Sequence, residues 1–296
     1  MAIYHLRVDK IGRSKGQSAV ASASYYADEP LIDHRTGIRH VMPPRPGLIH
    51  EDILTPAGMP YPHSADRQSL WNAVESHEKR NDSNTALVWH AALPRELTDR
   101  QAIILAEAFA RSLMEREGNV IDLTVRQTGP GSLVAFLLCT TRHVTATGFG
   151  DKIDFVLGGR DREKRGLPKS PRTDLAEIRV QWADLVNAAL ENAGSTARVD
   201  HRSLKDRGYD LIPQTHLGSA ARRRTERGED IDRKAGSIER DVHNTRIIQE
   251  RPSIIRQLIA DAGQTFDGET IEIFVRCYVD DQILQRELCR LVFGEK

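Results

Sequence analysis

At 296 residues the chain is long enough to bury a real core, and its 42 Lys and Arg balance its 42 Asp and Glu. Nucleic-acid binding would therefore have to come from local basic clusters, since the overall charge is zero. Cys139, Cys277 and Cys289 form no CxxC pair and leave an odd number, which argues against a disulfide framework or a zinc knuckle.

In chain order, Ala2 to Val8 alternates apolar and polar residues, the pattern of a strand. Ser14 or Ser18 can then cap a helix whose small residues, Ala19, Ala21 and Ala23, let it lie close to a sheet. Tyr25 and Tyr26 end this helix. Neighbours on a helix point about 100° apart, so one ring can pack inward while the other presents a free hydroxyl. Ala27 to Pro60 reads as a short hairpin, turned at Asp33 to Gly37, and a long loop through Pro43 to Gly47. A helix from about Ala65 buries Leu70, Trp71 and Val74, and a strand runs from Thr85 to Leu93.

Thr98 to Gln101 is a capping box that opens a helix ended by Gly118. Val120 to Arg126 and Leu133 to His143 read as two antiparallel strands joined through Thr128 to Gly131. Thr147 to Arg172 combines five glycines with Arg160, Arg162, Lys164 and Arg165. It reads as a basic loop able either to follow a phosphate backbone or simply to be solvated. An amphipathic helix through Leu175, Ile178, Trp182 and Val186 stops at Gly194, and the chain from Ala220 onward is charged and helical. No apolar run of about 18 residues and no basic-then-apolar leader pattern occurs, so a cytoplasmic protein without membrane insertion is expected.

Several of these stretches resemble one family. The opening Met1-Ala-Ile-Tyr-His-Leu6, Arg13-Ser-Lys-Gly-Gln-Ser-Ala19 with Tyr25, Leu70-Trp-Asn72 running into Glu78-Lys-Arg80, Ala92-Leu-Pro94 with Glu96-Leu97, and Asp200-His-Arg-Ser-Leu204 through His216-Leu-Gly218 are similar to the MobA/MobL plasmid mobilisation relaxases. The resemblance implies an α/β (α+β) fold of the HUH endonuclease type, with a central, mainly antiparallel sheet flanked by helices over residues 1–219. A charged helical extension over 220–296 would follow. It also implies strand-specific nicking at a plasmid origin of transfer through a 5′-phosphotyrosyl link. Tyr25 would be the nucleophile, with Tyr26 as second choice. Arg13 and Lys15 near the tyrosine helix, and Arg160, Arg162, Lys164 and Arg165 of the basic loop, are the residues expected to touch DNA. Implied partners are plasmid DNA, accessory mobilisation proteins and the coupling protein of a conjugative plasmid.

The same resemblance implies a divalent metal, Mg or Mn, held by three histidines. Aligned here, those positions fall near Arg126 and at Val134 and Phe136, and none can ligate a metal. The acidic residues common in relatives before the Ala-Leu-Pro motif are replaced by Val88-Trp-His90. Three readings stay open: a DNA-binding relaxosome component without chemistry, a metal held elsewhere by His90, Asp122 or His143, or compensating frame changes across residues 126–136.

Overall fold

Alternating sequence becomes strand, and five such strands build one sheet in the order β1-β5-β7-β6-β4, antiparallel at every contact. They are β1 (Leu6–Gly12), β4 (Leu48–Leu54), β5 (Asn84–Leu93), β6 (Ile121–Gly129) and β7 (Ser132–Thr140). Two small hairpins, β2 (Leu31–Asp33) with β3 (Ile38–His40) and β8 (Arg142–Thr145) with β9 (Gly148–Lys152), stand outside it. This computed structural model describes residues 4–43, 45–56, 66–213 and 231–294. They fall into two compact units, Met1–Ser195 and Thr196–Lys296. The expected boundary at 219/220 and His216 lie outside the described residues.

Side chains alternate across a strand, so each face of the sheet needs its own cover. On one face, α1 (Ala19–Ala27) and α2 (Arg67–His77) bury Ile11, Ala86, Val88 and Leu138 together with Leu70, Trp71 and Val74. On the other, α3 (Asp99–Glu117) and α5 (Arg172–Asn192) bring Phe109 and Trp182 to 4.7 Å between ring centroids, with Trp89 of β5 edge-on to Phe109. Each large apolar side chain buried this way contributes about 1.5–3 kcal/mol. The capping box forms as the sequence predicts: Gln101 N donates to the Thr98 hydroxyl, and the Gln101 side chain accepts from Thr98 N. Gly118 ends α3 with φ 62°, the left-handed region that glycine enters without strain.

The stretch expected as a basic loop is folded. It contains β9, a short 3-10 turn and α4 (Gly159–Lys164), and its apparent surface arginine, Arg162, is wholly buried. Arg162 pairs with Asp174 at 2.9 Å and donates to the carbonyls of Pro168 and Asp154, which compensates a charge too costly to bury alone.

In the second unit, α6 (Ile231–Glu250), α7 (Ser253–Asp261), α8 (Gly268–Arg276) and α9 (Gln282–Phe293) enclose Ile255, Leu258, Ile271, Val275, Leu288 and Val292. Asn244, fully buried on α6, spends both ends of its amide on backbone: it accepts from Ile212 N and donates to the carbonyls of Ile212 and Tyr278. All three cysteines are free thiols, with Cys139 buried.

Candidate active site

The helix that carries the tyrosines is fixed at both ends by side chains from elsewhere in the sequence. Ser18 caps its start, accepting from Ala21 N, and gives its own hydroxyl proton to Asp33 at 2.8 Å. The buried Glu75 of α2 accepts from Ala19 N at 2.7 Å, placing a carboxylate at the positive end of the helix. Glu75 in turn binds Arg13 at 2.8 Å, and the Arg13 guanidinium also donates to the carbonyls of Glu75, Glu78 and Arg80. Ala19 and Ala23 are buried as the sequence implies, together with Ala27, whereas Ala21 is only half-buried.

At its C-terminal end the helix breaks at Asp28, which adopts φ 56°. It is the one non-glycine residue with positive φ among the described residues, a conformation that Asp tolerates better than most side chains. Two arginines hold it. Arg126 of β6 donates to one Asp28 carboxylate oxygen at 2.6 Å and to the backbone carbonyls of Arg45 and Tyr26. Arg45, in the loop before β4, donates from Nε and Nη2 to the other Asp28 oxygen and from Nη2 to the carbonyl of Tyr25. The loop itself is clasped to β6, with Gln127 N donating to the Gly47 carbonyl at 2.7 Å.

The two tyrosines diverge as neighbours on a helix must. Tyr25 is 46 % exposed, with the Arg45 guanidinium over its ring, Cζ 3.9 Å from the centroid. Tyr26 turns toward the sheet, stacks on Phe136 at 4.9 Å and brings its hydroxyl to 3.5 Å from His90 Nε2. Burial pushes the Tyr26 phenol up to about 12. Burial also holds His90 below the usual imidazole range, against the Asp9 carboxylate 3.5 Å away. A cleft of about 410 Å³ runs along α1 past Ser22, Tyr25, Tyr26 and Arg35.

The three positions expected to hold histidines are brought together by the sheet. Phe136 pairs with His90 and Thr124, and Val134 pairs with Ala92 and Arg126, in a register without a break at these residues. The frame lies beside the tyrosines, but an aromatic ring, an aliphatic side chain and a guanidinium offer a divalent ion no donor. The substitutes proposed from the sequence do not converge either. Asp122 is buried under α2, accepting from Arg67 and from Trp71 Nε1 at 2.9 Å, while the ring of His143 lies close to Gly118. Among the described residues no group of three or more His, Cys, Asp or Glu side chains is placed to hold a metal ion.

Of the basic residues expected at DNA, Lys15, Arg160 and Lys164 are exposed, Lys164 lying 3.2 Å from Asp161. Arg13 and Arg162 are instead structural, and Arg165 is paired with Asp154 at 2.6 Å. Sequence reading missed Asp28, Arg45 and Glu75 as determinants of the site. Glu75 lies within the stretch similar to relatives, but its contact with α1 spans 56 residues and leaves no local pattern.

The sequence pattern of the MobA/MobL family matches residues 17–227. The chain belongs to this family. The matched span starts before the tyrosine helix and continues past the boundary between the two compact units. Among MobA/MobL relatives, the mobilization protein MobL of Acidithiobacillus ferridurans is 33% identical over 91% of this chain and 73% of its own length. A probable conjugal transfer protein TraA of Sinorhizobium fredii is 33% identical over 95% of this chain, which spans only 28% of that relative. A solved structure from work on the molecular basis of vancomycin resistance transfer in Staphylococcus aureus covers 68% of this chain at 27% identity and TM-score 0.58. This chain thus shares its fold with that structure, here an antiparallel five-stranded sheet flanked by helices. No helix among the described residues is long and apolar enough to cross a membrane.

Proposed function

We propose that this MobA/MobL protein acts in plasmid mobilisation at an origin of transfer, where Tyr25 cleaves one DNA strand and keeps it as a 5′-phosphotyrosyl adduct. The observation that carries this reading is the contrast between the two tyrosines: Tyr25 is open to solvent beside a guanidinium, and Tyr26 is packed against Phe136 and His90. In the step, a bond forms between Tyr25 Oη and phosphorus while the bond from phosphorus to the 3′ oxygen breaks. The phenolic proton leaves to water, and the departing 3′ oxygen takes a proton from water. The new ester conserves the phosphodiester's free energy, so religation needs no nucleotide cofactor. The cleft along α1 would take a single strand, which requires local melting of the duplex and supports a role for accessory mobilisation proteins. Delivery to a conjugative plasmid's coupling protein belongs to the same reading.

A second reading, a DNA-binding relaxosome component without chemistry, is favoured by the missing metal donors at Arg126, Val134 and Phe136. The two are separated by mixing the protein with single-stranded oligonucleotide from its own plasmid's transfer origin and running a denaturing gel. A shifted covalent band that Tyr25→Phe removes and Tyr26→Phe retains is the expected result. Retained binding with no band leaves the second reading standing.

A further inference from the structure

Arg126 stands where the family resemblance expects a metal-binding histidine, and its side chain is not idle. It is 7% exposed and reaches three acceptors: the Arg45 carbonyl at 2.9 Å, the Tyr26 carbonyl at 3.2 Å and Asp28 at 2.6 Å. Asp28 lies between two guanidinium groups, so two positive charges and one negative leave a net positive charge beside Tyr25. A divalent cation placed here would meet two like charges and no donor set, and Phe136 fills a further histidine position with a ring stacked on Tyr26. The site does not fit a metal ion.

It does fit an anion. The hydrogen bonds of Arg45 use Nε and Nη2, which leaves Nη1 as the edge not committed to Asp28 or the Tyr25 carbonyl. The Arg45 side chain is 28% exposed and lies over the ring of Tyr25. A guanidinium keeps its charge at any working pH and binds phosphate oxygens with directed, charge-assisted hydrogen bonds. Its position is fixed from below, because Arg126 binds the backbone of residue 45 and the carboxylate that orients the Arg45 fork. Arg7 also lies close enough to influence Tyr26, but its pairing with Asp9 at 2.7 Å neutralises it, so the positive charge of this face comes from Arg45 and Arg126.

We propose that Arg45, positioned by Asp28 and Arg126, binds the DNA phosphate presented to Tyr25, and that phosphate engagement at this site is independent of divalent metal. The proposal rests on the reading of Tyr25 as the residue that meets the scissile phosphate. Arg45 is the binding residue and Arg126 a positioning residue.

The test measures binding of a fluorescent single-stranded oligonucleotide spanning the nick site of the protein's own plasmid, in parallel with adduct yield, for the full chain in EDTA and in millimolar Mn²⁺. Affinity and yield are expected to be the same in both buffers. Arg45→Ala should weaken binding about tenfold, the scale of one charge-assisted contact. Arg45→Lys, which keeps the charge and loses the fork, should fall between the two and remain indifferent to Mn²⁺. Mn²⁺-dependent affinity or yield in the wild type overturns the proposal even where Tyr25 nicks, and so does wild-type binding by a folded Arg45→Ala variant. EDTA-insensitive, Arg45-dependent binding without any adduct supports the arginine site and sinks the nicking reading instead. Circular dichroism of both variants identifies a folding failure; the wild-type comparison in the two buffers tests metal independence without them, and a folded Arg45→Lys tests the arginine where Arg45→Ala does not fold.

Discussion

Tyr25 and Tyr26 occupy adjacent positions with opposite surroundings, and the difference can be measured by titration. Burial raises the Tyr26 phenol from 10.0 to about 12, so the folded state favours its neutral form. That stabilisation is fully present below pH 10 and is lost as pH rises through the folded value. A shift of this size corresponds to roughly 2–3 kcal/mol. Tyr26→Phe removes the titrating group and should therefore lose less stability than the wild type between pH 10 and 12, followed by urea unfolding at each pH. Parallel curves would mean that Tyr26 ionises no differently in the folded and unfolded chains. Much of this residue-level picture was legible: the angle between helix neighbours foretold one buried and one open ring. The roles of Arg13 and Arg162 were not legible. Both were expected at DNA, yet each is consumed by acceptors outside its own stretch, Glu75 for Arg13 and Asp174 for Arg162.

At the scale of elements, the tyrosine helix depends on α2 more than on its own nine residues, since a helix this short is marginal in isolation. Glu75 provides the link, accepting from Ala19 N and neutralising Arg13, with its side chain 1% exposed. Glu75→Ala leaves a buried guanidinium without its carboxylate and the Ala19 N–H without its acceptor, and should cost about 3–5 kcal/mol by denaturant unfolding. A loss below about 1 kcal/mol, the range of an exposed pair, would show that the contact carries little weight. Strand periods, the capping box and the glycine stop of α3 were readable because each is written within a few residues. The clasp of Asp28 by Arg45 and Arg126 was not, because its partners lie 17 and 98 residues away. The left-handed turn at Asp28 also has no glycine to announce it.

For the whole molecule, the sheet and its covering helices lie within the unit that ends at Ser195, whereas the family match continues to residue 227. The core of that unit draws on strands and helices that precede Asn192. A fragment covering residues 1–195 is therefore expected to melt in one cooperative transition by circular dichroism. A fragment that fails to melt cooperatively would assign a structural duty to the motif beginning at Asp200. The mainly antiparallel α/β architecture and the helical character of the C-terminal part were both legible. The division at Ser195 was not, because Ala197 to Leu211 carries the same resemblance as the residues before it while belonging to the second unit.

The 98 residues between Asp28 and Arg126 also set an order of events during translation. The ribosome releases α1 with its tyrosines early, but β6 and the central strand β7 emerge much later, and until β7 arrives no strand pairing joins the β1-β5 half of the sheet to the β6-β4 half. At about 5–20 residues per second, a nascent chain carries Tyr25 for roughly 5–20 s before Arg126 can reach Asp28. Under the proposed nicking reaction, Tyr25 thus leaves the ribosome before the clasp on Asp28 can form, and the site is assembled only when most of the first unit has been made.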